Sequence, residues 1–219
     1  MNRLPSLVRQ HIAALRMLLA FTVLCGIVYP VIMWGVAQAA FKGQADGSLD
    51  TDNGKIVGSG LLCQEFVNAK GQPLAQYFQP RPSSATSGAS NDYGCDPGYS
   101  AASNLGPNSS TLVTDVKQRQ AEIEALDHVK LSQIPPDAVT ASGSGLDPDI
   151  SPQYAAIQVD TVAAARHLPV SEVEALVAKN THARDLGFLG EPGVDVLTLN
   201  IALDELPGQA QYAGGALSK

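Results

Sequence analysis

Residues Met17 to Phe41 carry no charge over 25 consecutive positions, and that run constrains this chain more than any other feature. A helix needs about 20 apolar residues to cross a hydrocarbon core about 30 Å thick. Gln38 is the only strongly polar side chain in the run and sits near its end, where Trp34 and Phe41 suit the far interface. A cleaved signal peptide is the competing reading, because Ala37-Gln38-Ala39 matches a small-x-small cleavage site. The apolar region of a signal peptide, however, covers about 7–15 residues, so a retained span over 17–41 is expected. Leu24 is too bulky to precede a lipid-modified Cys25. Inside the span, Pro30 removes a backbone donor and favours a kink. Gly26, Tyr29 and Pro30 fit a packing face for a partner helix, and fit equally well the ordinary frequency of Gly and Pro in membrane helices.

Charge is partitioned around the run. Arg3, Arg9 and Arg16 precede it without any acid. All 21 acids lie from Asp46 onward against 11 basic residues, so the net charge of -7 divides into +3 and -10. Cytoplasmic flanks are the basic ones. The expected organisation is a cytoplasmic N-terminus (1–16), a single membrane pass (17–41) and an extracytoplasmic domain (42–219) in the periplasm of a cell with an inner membrane. The acidic balance excludes a nucleic-acid binder, which carries a basic stripe. Apolar residues at 45% and charged residues at 16% exclude a disordered acidic tail.

The exported part reads as one α+β domain. Asn53-Gly54 signals a tight turn, with strand material at Lys55-Ile56-Val57 and Leu61-Leu62. Residues 79–111 form a long polar loop rich in Gly and Pro, and a loop of that length is usually functional or loose. Leu112, Val116, Ile123, Leu126 and Val129 predict a helix over 109–131. Ser151-Pro152 opens a helix to Arg166, and Ser171 to Glu174 reads as a capping box for a helix to Asn180. Alternation of Leu197, Leu199, Ile201 and Leu203 predicts a strand over 194–203.

Signatures of catalysis are missing. The chain has no phosphate loop, HExxH, GxSxG or CxxC motif. His11, His128, His167 and His182 lack metal-ligand spacing. The densest segment is Val139 to Pro152, whose Ser142-Gly143-Ser144-Gly145 run suits either an anion nest or a plain loop leading into a capped helix. Ser142 or Ser144 as a nucleophile lacks a His placed to activate it. Asp147 and Asp149 are candidates for a cation. Cys63 and Cys95 both fall in the exported part, where an oxidising compartment favours pairing; two free thiols are the alternative.

Several blocks in order resemble the C subunit of the Kdp-type potassium-transporting ATPase. They are Gly26 to Pro30, Gln44 to Leu49, Gln64-Glu65-Phe66, Tyr77-Phe78, Arg81-Pro82-Ser83, Ser103 to Pro107, Pro136 to Pro152, Gln158-Val159, Leu186 to Pro192 and Val194 to Asp204. The likeness covers about residues 15–204. Cys63, the 84–102 segment with Cys95, Gly193 and Asp195 depart from the family pattern.

The resemblance implies a non-catalytic subunit of a P-type potassium uptake complex. Its partners would be a channel-like potassium-binding subunit, the ATP-hydrolysing subunit, a very small stabilising subunit and membrane lipid. ATP and potassium would act at the level of the complex. The family is also linked to a raised ATP affinity of the hydrolysing subunit, for which Ser142, Gly143, Ser144, Gly145 and Gln158 are the places to look. Positive-inside charge puts these residues outside, away from ATP. Two other functions compete: a membrane-anchored periplasmic hydrolase using Ser144, and an ion-binding domain that feeds a transporter.

Overall fold

The computed structural model describes residues 5–52, 54–89 and 92–207. Arg3, Asn53 of the expected turn and the chain beyond 207 lie outside these. The chain divides into two compact units, residues 1–48 and residues 49–219.

The first unit is helical from Ser6 to Ala40, with mean hydropathy 2.2 in its most apolar window. Helix α1 (Ser6–Val23) runs into a π-turn (Leu24–Val28) and then α2 (Tyr29–Ala40), which has Pro30 in its first turn. Proline has no N–H and its ring crowds the carbonyl four residues back, so a widened turn at Gly26 accommodates it. None of the residues of α1, the π-turn or α2 is buried, and Leu18, Ile27, Tyr29 and Trp34 all expose more than half their surface. Such a helix is stable only where lipid or other helices cover it. At its end Phe41 leaves helical geometry, a short turn α3 (Lys42–Ala45) follows, and Gln38 donates to Asp46 at 3.1 Å.

The second unit begins with an antiparallel hairpin, β1 (Leu49–Asp52) and β2 (Lys55–Ser59), with a bulge between Asp50 and Thr51. Gly54 takes a φ of +77°, the left-handed geometry such a two-residue connection needs. Leu61-Leu62, expected as strand, lies in a turn, because Leu62 donates to the Ser59 carbonyl. Irregular chain then runs to α4 (Ser110–Asp127). Ser109 caps α4 by accepting from the Leu112 amide. The helix stops before the expected 131, since His128 turns left-handed at φ +55°.

A short turn α5 (Pro136–Val139) leads to β3 (Asp149–Ile150), α6 (Pro152–Arg166), α7 (Val170–Lys179), β4 (Thr181–His182), β5 (Gly193–Asp195) and α8 (Val196–Asp204). The second sheet has the order β3-β5-β4 and is antiparallel throughout. Helix α6 starts as the sequence indicates: the Ser151 hydroxyl accepts from the Tyr154 amide and Pro152 fills the first turn. Helix α7 instead starts at Val170, placing Ser171 inside its first turn, so the expected capping box does not form.

The expected strand over 194–203 is corrected most. Three residues form β5 and the rest is α8. Asp195 decides the switch by accepting from the Thr198 amide at 2.6 Å as helix cap. The buried positions Val196, Leu199, Asn200 and Leu203 recur at helical spacing. Val196, Leu197, Leu199 and Leu203 join Phe66, Phe78, Ile150, Val162, Val173 and Val194 in one core. The α+β class stands, with two small antiparallel sheets among the described residues and α6 and α8 packed against β5.

Candidate functional site

The Ser/Gly loop folds against the first part of the long polar loop. Cys63 and Cys95 form a disulfide with Cα atoms 5.4 Å apart. The Cys63 amide donates to the Leu146 carbonyl, and the Cys63 sulfur lies 3.3 Å from the Gly145 carbonyl. Ser83 donates its hydroxyl to that same carbonyl at 2.6 Å and accepts from the amides of Ala85 and Cys95. Ala101 donates to the Ser144 carbonyl at 2.9 Å. Gly145 sits at φ +71°, and a Cβ there would collide with the Ala101 carbonyl and with Ala85. The segment 139–152 and the 63–101 region thus hold each other in place.

The candidate nucleotide residues fall in two separate places. Ser142 is buried, while Gly143 and Ser144 are exposed. The Ser144 hydroxyl accepts from the Leu146 amide, and the carbonyls of Ser144 and Gly145 accept from the facing loop. Gln158 lies apart on α6 and is 2% exposed. Its amide is engaged with the extended Tyr77-Phe78-Gln79 segment: its oxygen accepts from the Gln79 amide at 2.7 Å and its nitrogen donates to the Gln79 carbonyl at 3.4 Å, as well as to the Tyr154 carbonyl of its own helix. Among the described residues no hydrogen bond joins Gln158 to the 142–145 loop.

The same segment explains other residues of the resemblance. Among the described residues it pairs with no strand, so its backbone groups need side-chain partners. Asn200 supplies two of these, accepting from the Phe78 amide and donating to the Phe78 carbonyl, both at 2.9 Å. Arg166 donates to the Gln76 carbonyl and to Asp204, and Tyr77 donates to Asp204. The Arg166 guanidinium lies 4.6 Å from the centre of the Tyr77 ring, which stacks on Phe66. Burial first, and then the Asp204 charge, push the Tyr77 hydroxyl above its usual range, so it stays a donor. Sequence reasoning passed over the roles of Arg166, Asn200 and Asp204 because their partners stand 38 to 127 residues away.

The described surface has an open cleft of about 660 Å³ beside these loops, lined by Pro135, Pro136, Ile150 and Pro192 together with charged groups. Arg81 donates to Asp147 at 2.8 Å and to the Thr140 carbonyl at 3.4 Å. His182 lies 3.0 Å from Asp149. Asp137 accepts from both the amide and the hydroxyl of Ser151. Asp147 and Asp149, the candidate cation ligands, therefore face the Arg81 guanidinium and the His182 imidazole, and no cluster able to hold a metal ion occurs among the described residues. No His hydrogen-bonds Ser142 or Ser144 among the described residues, so a hydrolase gains no support.

Comparison with known proteins adds the decisive observation. The family model of the K+-transporting ATPase c chain, KdpC, matches residues 11–205. The chain belongs to the KdpC family. A potassium-transporting ATPase KdpC subunit from Beijerinckia indica is 46% identical over 196 residues, covering 89% of this chain and 93% of that protein. The subunit of the same name from Kineococcus radiotolerans is 47% identical over 200 residues, covering 91% and 95%. That from Mycobacterium tuberculosis strain H37Rv is 45% identical over 199 residues, covering 90% and 99%. As a KdpC-family chain it is an accessory, non-catalytic subunit of a potassium-transporting ATPase, and the hydrolase and feeder-domain alternatives fall away.

Proposed function

We infer that the chain joins the channel-like potassium-binding subunit, the ATP-hydrolysing subunit and the small stabilising subunit of one inner-membrane complex, and supports their assembly and activity. One observation carries this reading: a 35-residue helix with an uncharged run from Met17 onward, none of whose residues is buried, in a member of a potassium-transporting ATPase family. Gly26, Tyr29 and Pro30 are the packing face. A Cβ on Gly26 would meet nothing within 4 Å, and Tyr29 is 61% exposed, leaving room for a close helix neighbour.

The N-terminus is cytoplasmic and the domain from Lys42 onward is periplasmic. The +3 flank supports this orientation, and so does the Cys63–Cys95 disulfide, since such bonds persist in oxidising compartments. Any effect on ATP affinity then reaches the hydrolysing subunit indirectly, through the span or a neighbouring subunit.

Affinity-tagged chain extracted in mild detergent from potassium-starved cells should bring the larger subunits with it. Recovery of the chain alone would overturn the reading. In intact spheroplasts, added protease should degrade the domain, whereas full protection would reverse the orientation.

A further inference from the structure

Between β4 and β5 the chain projects a small apolar knob. Leu186 is 83% exposed, Phe188 69% and Leu189 49%. The knob is a hydrogen-bonded turn: Gly187 donates to the Arg184 carbonyl, and Phe188 and Leu189 donate to the Asp185 carbonyl. An Arg184–Glu191 ion pair closes its neck. Leu186 adopts a φ of +53°, a region that a side chain rarely enters. Single exposed apolar residues are ordinary, but three together on a shaped turn mark an interaction surface. Because the turn is shaped before contact, it loses little freedom on docking.

Charge decides what covers the knob. The chain passes from it through Glu191 and Pro192 into the cleft. Asp137, Asp147, Asp149 and Glu191 line it and outnumber Arg81 and His182, even with Arg184 paired to Glu191 at the neck, in a domain of net charge -10. Anionic lipid headgroups attract basic surfaces, not this one. A second copy would bring the same acids against each other. A polypeptide with an apolar pocket rimmed by Lys or Arg satisfies both the knob and the cleft. We propose that the Leu186–Leu189 knob and the acidic cleft behind it form one docking surface for another subunit of the potassium-transporting complex, at an apolar pocket with a basic rim. This rests on the functional reading above.

The test uses the full-length chain in its complex. A photoreactive benzophenone amino acid in place of Phe188 should form an adduct with another subunit, at a peptide holding apolar residues and Lys or Arg. Adducts only to lipid, only to a second copy, or to nothing would overturn the proposal. In parallel, a Leu186→Ser, Phe188→Ser chain should recover roughly tenfold less of its partners, the loss expected for removal of a central apolar anchor. Its melting temperature should stay that of the wild-type chain, since both side chains are exposed. Undiminished recovery would sink the knob proposal alone. A wild-type chain that recovers no partner sinks the functional reading and the knob proposal with it.

Discussion

Arg166 and Asp204 meet at 2.6 Å with side-chain exposures of 3% and 8%, joining the last turn of α6 to the last turn of α8. Asp204 also accepts from Tyr77, so three distant segments close on one carboxylate. Asp204→Ala should lower the unfolding free energy by roughly 3–5 kcal/mol, because it strands a buried guanidinium. Urea denaturation of the purified chain would measure this. Arg166→Met combined with Asp204→Leu should recover much of the loss, since no unpaired charge then remains.

Glu65 gives the domain a pH dependence of unusual sign. Burial, with a further contribution from Asp92, pushes its carboxyl up to about 7 from an ordinary 4.5. Between those values the folded chain binds more protons than the unfolded chain, so stability falls as pH rises from about 4.5 to about 7. Asp127, pushed up to about 6 chiefly by burial, adds to the same trend at lower pH. Glu65→Gln should leave the urea midpoint almost unchanged at pH 5 and raise it at pH 8. Equal shifts at both values would rule out this account.

Reduction of the Cys63–Cys95 bond should destabilise the domain by about 4 kcal/mol, the scale expected for closing a loop across a sequence separation of 32. Thermal melts with and without reductant would show it as a lower transition temperature in reductant. An unchanged transition would mean that the reduced 63–95 loop keeps its shape without the bond.

Gly145→Ala should cost more than 1 kcal/mol, because it combines a left-handed backbone with a collision against Ala101 and Ala85. The loss should appear in denaturation curves and as faster proteolysis between residues 80 and 105. Gly143→Ala is the control: an added Cβ there meets nothing within 4 Å.

Much of the candidate site could be read in the sequence as order but not as role. The block from Pro136 to Pro152 was recognisable, and Ser151-Pro152 marked the start of α6. Gln158 could be read as a ligand group because its spacing says nothing of the Gln79 backbone that engages it, 79 residues earlier. The Leu186–Leu189 knob was visible only as a motif, since apolar letters do not distinguish buried from exposed.

The chain by itself determined the apolar helix, the charge division, the α4 and α6 starts and the family, because each depends on local composition or short-range capping. Tertiary structure selected a helix for Val196–Asp204, since its apolar residues suit both periods and the shared core with Phe66, Phe78 and Ile150 takes the helical face that the local Asp195 cap opens. It also decided the Arg166–Asp204 pair, the Asn200 and Gln158 contacts and the Gly145 crowding. All of these bring together groups far apart in the chain, and buried polar groups must find partners wherever the fold brings them.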